Sequence, residues 1–280
     1  MTGRRGVTLI ELLIAMTMAA ILGSLVLTST ASVTAVLRSR VERVGSTGAS
    51  RSIWGVLRAE WASLGADSAA GPDLVALGPS AVDYRADRGL VQICRLSPDS
   101  VVLTPGRLSR WVPRRPVAGR DSLLVYAAGD SAGAIDAWVP IPLIAGPAAV
   151  SCPLGEPGHQ FVTALDTTAI ARWRLGTGAV ARVFEVVRAR SYGGGTLWQF
   201  GLEGLSAGAI VQPVASHLAG PAGLTVVGWG CDGMPAPLAR VCGVDVTLRA
   251  TTKRDLGLGA GRASVVLDSQ LIAVRFENRP

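Results

Sequence analysis

A single carboxylate lies inside a long apolar run near the N-terminus. Residues 7–37 contain one charged side chain, that of Glu11. A carboxylate inside a membrane helix costs about 3 kcal/mol unless it is paired. Glu11 could extend to the lipid headgroups, which its position near the helix start permits, or pair with a positive group of another subunit. A free α-amino group of a neighbouring helix would serve if the chain is cleaved between Gly6 and Val7.

A second candidate for chemistry is Ser131, inside the G-x-S-x-G pattern of residues 129–133. The nucleophile elbow of esterases needs a strand before this pattern and a helix after it. Residues 134–141 predict another strand instead, and no His-Gly-Gly string lies upstream to form an oxyanion hole. His159 or His217 would have to act as the base, with nothing in the sequence to orient either. We therefore predict a hairpin turn and no enzymatic activity, and keep a membrane-tethered serine esterase as the alternative.

The densest basic segment lies in the middle of the chain. Arginines beside an aromatic residue can hold single-stranded nucleic acid through phosphate contacts and base stacking. Prolines and a glycine in the same segment predict a solvated loop instead, so nucleic acid is a possible but unlikely partner. The segment contains Arg107, Arg110, Trp111, Arg114, Arg115 and Arg120.

The residues that could bind a metal are few. The chain has two histidines, and no C-x-x-C pair occurs among its four cysteines. His159, beside a proline and a glycine, is predicted in an exposed loop. His217 is predicted in the core or at a sheet edge. The sequence therefore predicts neither a metal site nor a bound cofactor.

Length and composition limit the class of protein. The 280 residues can form one large domain or two small ones, and a hydrophobic content of 49% with a mean hydropathy of +0.39 excludes a disordered chain. The net charge is +7, and every basic residue except Lys253 is an arginine. Because this bias can follow from genome composition, the charge alone does not indicate nucleic-acid binding.

The apolar run predicts a long helix from Val7 to about Leu64. At 1.5 Å per residue, residues 7–37 extend about 46 Å, enough to cross the hydrocarbon core of a bilayer. An apolar stripe at helical spacing continues beyond this span and ends with Ile53, Leu57, Trp61 and Leu64. Glycines at 45 and 48 predict a weakened point between the two halves.

The remainder of the chain, residues 67–280, predicts short strands between glycines, prolines and aspartates. We expect antiparallel pairing, with hairpins at residues 193–195 and 257–261. The fold class is therefore α+β, with a long helix packed on an antiparallel sheet. The predicted strands are 91–96, 122–127, 134–141, 180–188, 196–202, 223–227, 241–250 and 263–276.

The N-terminal residues resemble a known family. The string from Arg5 to Ala15, RGVTLIELLIA, resembles the class III signal of type IV prepilins, which has a basic leader ending in glycine and a glutamate at the fifth mature position. Valine stands at residue 7, where phenylalanine is commonest in that family. The resemblance implies that a prepilin peptidase cleaves after Gly6 and N-methylates Val7, and that Glu11 sets the register of assembly.

The resemblance also implies an organisation and a location. It divides the chain into a leader (1–6), a transmembrane or filament-core helix (7–37), an amphipathic continuation (38–66) and a β-rich extracytoplasmic domain (67–280). The leader would be cytoplasmic, the anchor in the bacterial inner membrane and the C-terminal domain periplasmic, before export to a filament at the cell surface. The implied partners are the peptidase, other pilin or pseudopilin subunits, the inner-membrane assembly platform and membrane lipid.

A weaker resemblance concerns the type of subunit. The order of the segments 184–187, 195–198, 209–211, 224–227, 241–250 and 274–279 is similar to that in PilW-like minor pilins and in J-type minor pseudopilins. It implies a minor subunit near the tip of a type IV pilus or of a type II secretion pseudopilus. An adhesive or DNA-binding tip module is the alternative.

The four cysteines are expected to form disulfides if the domain lies outside the cytoplasm. Four cysteines allow three connectivities. We favour Cys231–Cys242, which would close a loop rich in glycine and proline, and by elimination Cys94–Cys152. Buried free thiols are the alternative.

Overall fold

A single long helix precedes an antiparallel sheet, which confirms the α+β class. The computed structural model describes residues 8–65, 73–104, 114–127, 137–165, 175, 177–194, 197–206, 210–252 and 265–275. Helix α1 comprises Leu9–Trp61. It passes through Gly45 and Gly48 without interruption and ends three residues before the predicted Leu64, although the Leu64 N–H still donates to the carbonyl of Trp61.

Thirteen strands are present in the described part of the chain, and every pairing between them is antiparallel. The eight predicted segments each correspond to one of them. The five unpredicted strands include β6 and β7, whose glycines and prolines suggested loops. The strands are β1 (Leu74–Gly78), β2 (Ala81–Leu96), β3 (Ser100–Thr104), β4 (Asp121–Ala127), β5 (Ala137–Pro142), β6 (Ala145–Ser151), β7 (Pro157–Val162), β8 (Val180–Gly194), β9 (Leu197–Gly204), β10 (Val211–Leu218), β11 (Leu224–Gly230), β12 (Val241–Thr252) and β13 (Val265–Arg275).

The two longest strands, β2 and β8, pair along most of their length at the centre of the sheet. The strand order is β11-β12-β10-β9-β8-β2-β3-β7-β6, with β1 beside β2, β13 beside β12, β4 beside β8 and β5 beside β4. The first part of β8 therefore has β4 as a neighbour, and its second part has β9. This exchange of partners divides the sheet into two regions.

Each region has its own apolar core. The first core contains the end of α1, β1, the first half of β2, the second half of β8 and parts of β9–β12. The second core contains the other halves of β2 and β8 together with β3, β4, β5 and β7, and no residue of α1. On one face of β8, Ala181 and Val183 belong to the second core, whereas Val187 and Ala189 belong to the first.

The C-terminal half of α1 packs on the first core along one stripe. The buried positions recur at intervals of three and four residues, as expected for one face of a helix. Two small serines at the start of the stripe are buried, and α1 is continuous past the two glycines beside them. The buried positions are Ser46, Ser50, Ile53, Leu57, Trp61 and Leu64.

Candidate assembly site

Thr8 and Glu11 form a reciprocal cap at the start of α1. The N–H and hydroxyl of Thr8 donate to Glu11 Oε2 at 3.0 and 3.1 Å, and the Glu11 N–H donates to the Thr8 hydroxyl at 3.4 Å. This capping box places the carboxylate at the positive end of the helix dipole. The predicted cleavage and methylation residues, Gly6 and Val7, lie outside the described residues.

The N-terminal half of α1 has an apolar surface on all sides. Every described side chain between Thr8 and Gly45 is exposed, including large ones such as Leu9 at 81% and Leu27 at 72%. The segment Leu9–Arg38 is long and apolar enough to cross a membrane. Nothing in the described part of the chain covers this surface, so its apolar surroundings must come from lipid or from other chains.

Hydroxyl groups in this half do not make it polar. Six of them donate to a backbone carbonyl three or four residues earlier, and several of these bonds measure 2.7–3.0 Å. A hydroxyl that is satisfied within its own helix needs no partner in lipid. The residues concerned are Thr17, Ser24, Thr28, Thr30, Ser32 and Thr34.

The predicted nucleic-acid loop is only partly described, and two of its arginines, Arg114 and Arg120, already form ion pairs within the domain. The Arg114 guanidinium donates to both oxygens of Asp121, at 2.6 and 2.7 Å, and to Glu185 at 3.0 Å. Because these N–H groups are bonded to two buried carboxylates, fewer of them are left to contact a phosphate. Arg115 is exposed, whereas Arg107, Arg110 and Trp111 lie outside the described residues.

Glu185 is the centre of a buried group of charges that the sequence analysis did not identify. Its side chain is completely buried, and Arg88, Arg114 and Arg120 all donate to it. Arg88 also contacts Glu60 in the last turns of α1, at 3.2 Å. We call this group the Glu185 cluster, in which three arginines balance three carboxylates: Glu60, Arg88, Arg114, Arg120, Asp121 and Glu185.

Opposing effects act on the acidity of Glu185. Burial alone raises the pKa of the carboxyl group because it disfavours the charged form. The hydrogen bond from Arg120 and the charges of Arg88 and Arg120 outweigh burial and hold the pKa below its ordinary value. Glu185 is therefore ionised at neutral pH.

The Glu185 cluster lies where the two cores meet. Glu185 occupies the face of β8 that carries Val183 of the second core and Val187 of the first. Arg88 lies at a bulge in β2, between Asp87 and Gly89, where the register of the β2–β8 pair shifts. One glutamate between apolar neighbours, Val-Phe-Glu-Val-Val, was a signal in the sequence that something must neutralise it.

The structure contains both disulfides that the sequence analysis favoured. Cys94 on β2 is bonded to Cys152 after β6, with 58 residues of separation, and this bond lies beside the second core. Cys231 after β11 is bonded to Cys242 on β12, with 11 residues of separation, and lies beside the first core. Each core therefore has one covalent link.

The esterase alternative can be compared with the structure only through the strands beside Ser131 and through the two histidines. Ser131 lies outside the described residues, but the strands on either side of it, β4 and β5, pair directly with each other as in a hairpin. His159 was predicted in an exposed loop, which is wrong: it is half-buried on β7, opposite Leu103 and Ala149. His217 is half-buried on β10, with Nδ1 2.7 Å from the Ser216 hydroxyl.

Within the described residues there is no group of three or more His, Cys, Asp or Glu side chains that could hold a metal ion.

Comparison with known proteins gives one result. Residues 1–27 match the family model of the prokaryotic N-terminal methylation motif, the type IV prepilin-like signal. No curated protein matches the chain, and neither does any solved structure. The motif identified from the sequence is thereby confirmed. Together with the exposed apolar helix it supports a type IV pilin-like or pseudopilin subunit that is anchored in a membrane.

Proposed function

We propose that this chain is a minor pilin or minor pseudopilin that a prepilin peptidase cleaves after Gly6 and methylates at Val7. The mature protein would enter a type IV pilus or a type II secretion pseudopilus, near its tip. The observation that carries the proposal is one continuous helix whose N-terminal half bears the methylation motif and is exposed on all sides, while its C-terminal half is packed on a β domain.

The exposed half of α1 supports a role in assembly. In the membrane, lipid covers its apolar surface. In a filament, the helices of neighbouring subunits would replace that lipid and gain close packing between side chains. The β domain needs no change for this transfer, because the first buried residue among those described in α1 is Ser46.

Glu11 supports a specific register between subunits. Its carboxylate is held at the start of the helix by Thr8, and its second oxygen, Oε1, has no partner among the described residues. Cleavage before Val7 would create a charged α-amino group on each subunit. An amino group from one subunit that reaches Glu11 of the next would remove the cost of an uncompensated carboxylate in an apolar setting.

The disulfides support an extracytoplasmic β domain. Disulfides persist in oxidising compartments, and here one disulfide lies beside each core. A β domain on the periplasmic side of the membrane, with the leader on the cytoplasmic side, would lie in such an oxidising compartment. We propose the bacterial inner membrane as the site of anchoring, the periplasm as the site of the β domain, and the peptidase, the assembly platform and other pilin-like subunits as partners.

We also propose that the chain is not an enzyme. The hairpin formed by β4 and β5 supports this view, since the esterase elbow requires a strand followed directly by a helix. Hydrolysis of a short-chain ester by the purified chain, lost on Ser131→Ala, would contradict it.

The test of the proposed function uses Glu11→Ala in the full chain, produced in its native host. We expect normal removal of the first six residues, shown by the mass of the mature N-terminus, and loss of the protein from the sheared filament fraction. Glu156→Ala is the matched control, because it removes an exposed carboxylate outside the apolar half of α1, and we expect it to be incorporated.

Two results would contradict the proposal. One is a mature wild-type protein that keeps residues 1–6, which would exclude processing. The other is recovery of Glu11→Ala in filaments at the level of the Glu156→Ala control, which would exclude a role for Glu11 in assembly.

A further inference from the structure

Three exposed arginines share one side of α1 beyond the membrane segment. Arg40, Arg51 and Arg58 are separated by 11 and 7 residues, about three and two helical turns. Their side chains therefore leave the helix within about 20° of one another. We call this surface the arginine face.

The arginine face remains accessible when α1 is packed on the sheet. The buried stripe of Ile53, Leu57 and Trp61 lies about 110° around the helix from it. Among the described residues, none of the three arginines has an ion-pair partner. The Arg58 guanidinium lies 5.8 Å from the ring centroid of Trp54, a contact that orients it and leaves its N–H groups free to donate.

The helix surface beside the arginine face is open. A side chain added at Gly48 or Gly55 would meet no other atom within 4 Å. A second helix could therefore approach closely enough for its carboxylates to contact the arginines.

We propose that the arginine face binds an acidic helix of a second, different pilin-like subunit. The inference rests on the proposed function and adds the chemistry of the partner. Carboxylates spaced seven and eleven residues apart on the partner helix would meet the arginines in parallel alignment. Arginine suits this role because its planar guanidinium can donate two hydrogen bonds to one carboxylate.

A second copy of this chain does not provide the required surface. Its helix residues 38–62 include five arginines and only two glutamates, and one of these, Glu60, already contacts Arg88. The chain as a whole has a net charge of +7. Association between copies would therefore bring like charges together, whereas an acidic subunit would be attracted.

Anionic lipid does not reach most of this surface either. The apolar span ends at Arg38. Arg51 and Arg58 lie about 20 and 30 Å farther along the helix axis, beyond the headgroup layer of a bilayer whose apolar segment is this span. A protein partner remains the occupant that fits the positions of these charges.

The test places a photo-crosslinking residue at the exposed Ala62, one turn after Arg58, in the full chain in its native host. We expect a crosslink to another chain that carries a prepilin-type signal and acidic residues on its helix. The double variant Arg51→Glu, Arg58→Glu should lower the crosslinked fraction about tenfold, since two attractive pairs become repulsive. Exchanging the partner's acidic residues for arginine should restore it.

Two control variants separate this effect from net charge and from folding. Arg115→Glu with Arg240→Glu changes the net charge equally, at exposed positions outside α1, and should leave the crosslink unchanged. Arg51→Lys with Arg58→Lys keeps the positive charge and should retain most of the crosslink.

Several outcomes would overturn the inference. They are a crosslink to a second copy of this chain, a crosslink that charge reversal leaves unchanged, and no crosslink in a protein that is processed and assembled normally. Failure of processing or of assembly would instead overturn the proposed function, and this inference with it.

Discussion

The two halves of α1 share one continuous backbone but have opposite surroundings. From Thr8 to Gly45 every described side chain is exposed, whereas from Ser46 onward one stripe is buried against the first core. Within the first half, residues 12–37 carry no charged side chain and are apolar on all sides, whereas the second half is apolar on one side and carries arginines elsewhere. A helix with one apolar stripe can be satisfied by its own domain, whereas a helix that is apolar all round needs surroundings from outside the chain.

The difference between the two halves of α1 fits the proposed function, in which the same chain is first in lipid and then in a filament. The packed half is fixed to the sheet by large buried side chains and by the contact between Glu60 and Arg88. The exposed half makes no comparable contact within the described chain, so lipid can be exchanged for other helices without unfolding the domain. Four predictions test this division, in order of decreasing effect.

The largest effect is expected from the disulfide of the second core, which contains no residue of α1. Replacing Cys94 and Cys152 with serine should lower the free energy of unfolding by about 4 kcal/mol, as the chain-entropy model gives for the 58-residue separation. Denaturant titration in detergent would measure the loss. Hydrogen exchange should still show the C-terminal half of α1 protected. If the amide hydrogens of that half exchanged as fast as in the unfolded chain, the claim that the C-terminal half of α1 depends on the first core alone would be contradicted.

A matched pair of leucines compares the two halves directly. Leu57 is completely buried and Leu22 is 62% exposed. We expect Leu57→Ala to lower the free energy of unfolding by about 3 kcal/mol, through lost burial and the cavity left behind. Leu22→Ala should change it by less than about 0.5 kcal/mol. Equal losses in a denaturant titration would show that the halves do not differ as described.

The Glu185 cluster should make the attachment of the packed half dependent on pH. Glu185→Gln removes one charge from a buried group and should lower the free energy of unfolding by about 2 kcal/mol at pH 7. This loss is smaller than for a fully buried ion pair, because Arg114 and Arg120 reach solvent. The folded pKa of Glu185 lies below its ordinary value, so its contribution is complete above about pH 4.3 and disappears as pH falls through the folded pKa.

The difference between wild type and Glu185→Gln should therefore shrink on acidification. Urea titrations from pH 7 to pH 3 would measure it. Glu203→Gln, which removes a charge from a partly exposed pair with Arg190, is the control and should cost less than about 1 kcal/mol. If the difference in free energy of unfolding between the two proteins grew toward low pH, it would contradict a lowered pKa for Glu185.

The smallest effect concerns the helix between the halves. Alanine at Gly48 should raise the free energy of unfolding by at most about 1 kcal/mol, since alanine is the better helix former and its methyl group would meet no other atom. Thermal unfolding would detect the increase. A loss of stability would show that the backbone at Gly48 is not an unstrained helix.

Several features could be predicted because their signals are local. The motif around Glu11 is a contiguous string, and the stripe from Ile53 to Leu64 follows helical periodicity. The favoured pairing of Cys231 with Cys242 needed only a short loop. The eight predicted strands are rich in β-branched or aromatic residues.

Other features could not be predicted because they depend on contacts between distant residues. Arg114 appeared to be a loop arginine, yet Glu185, which it contacts, is 71 residues away. His159 lay in a segment that suggested a loop, but pairing with β3 and β6 makes it a strand. The secondary-structure propensity of a short segment contains no information about such distant neighbours. Where a neighbouring strand supplies backbone hydrogen bonds, the pairing overrides the local propensity.

The amino-acid sequence by itself determined that this protein has a prepilin-type start, a helix long enough to cross a membrane and a β-rich remainder. These properties depend on composition and periodicity within short segments. Only the tertiary structure decided at which residue α1 begins to pack on the sheet. It also placed a buried glutamate, Glu185, where the two cores meet. Those outcomes depend on which residues, far apart in the chain, exclude water from one another.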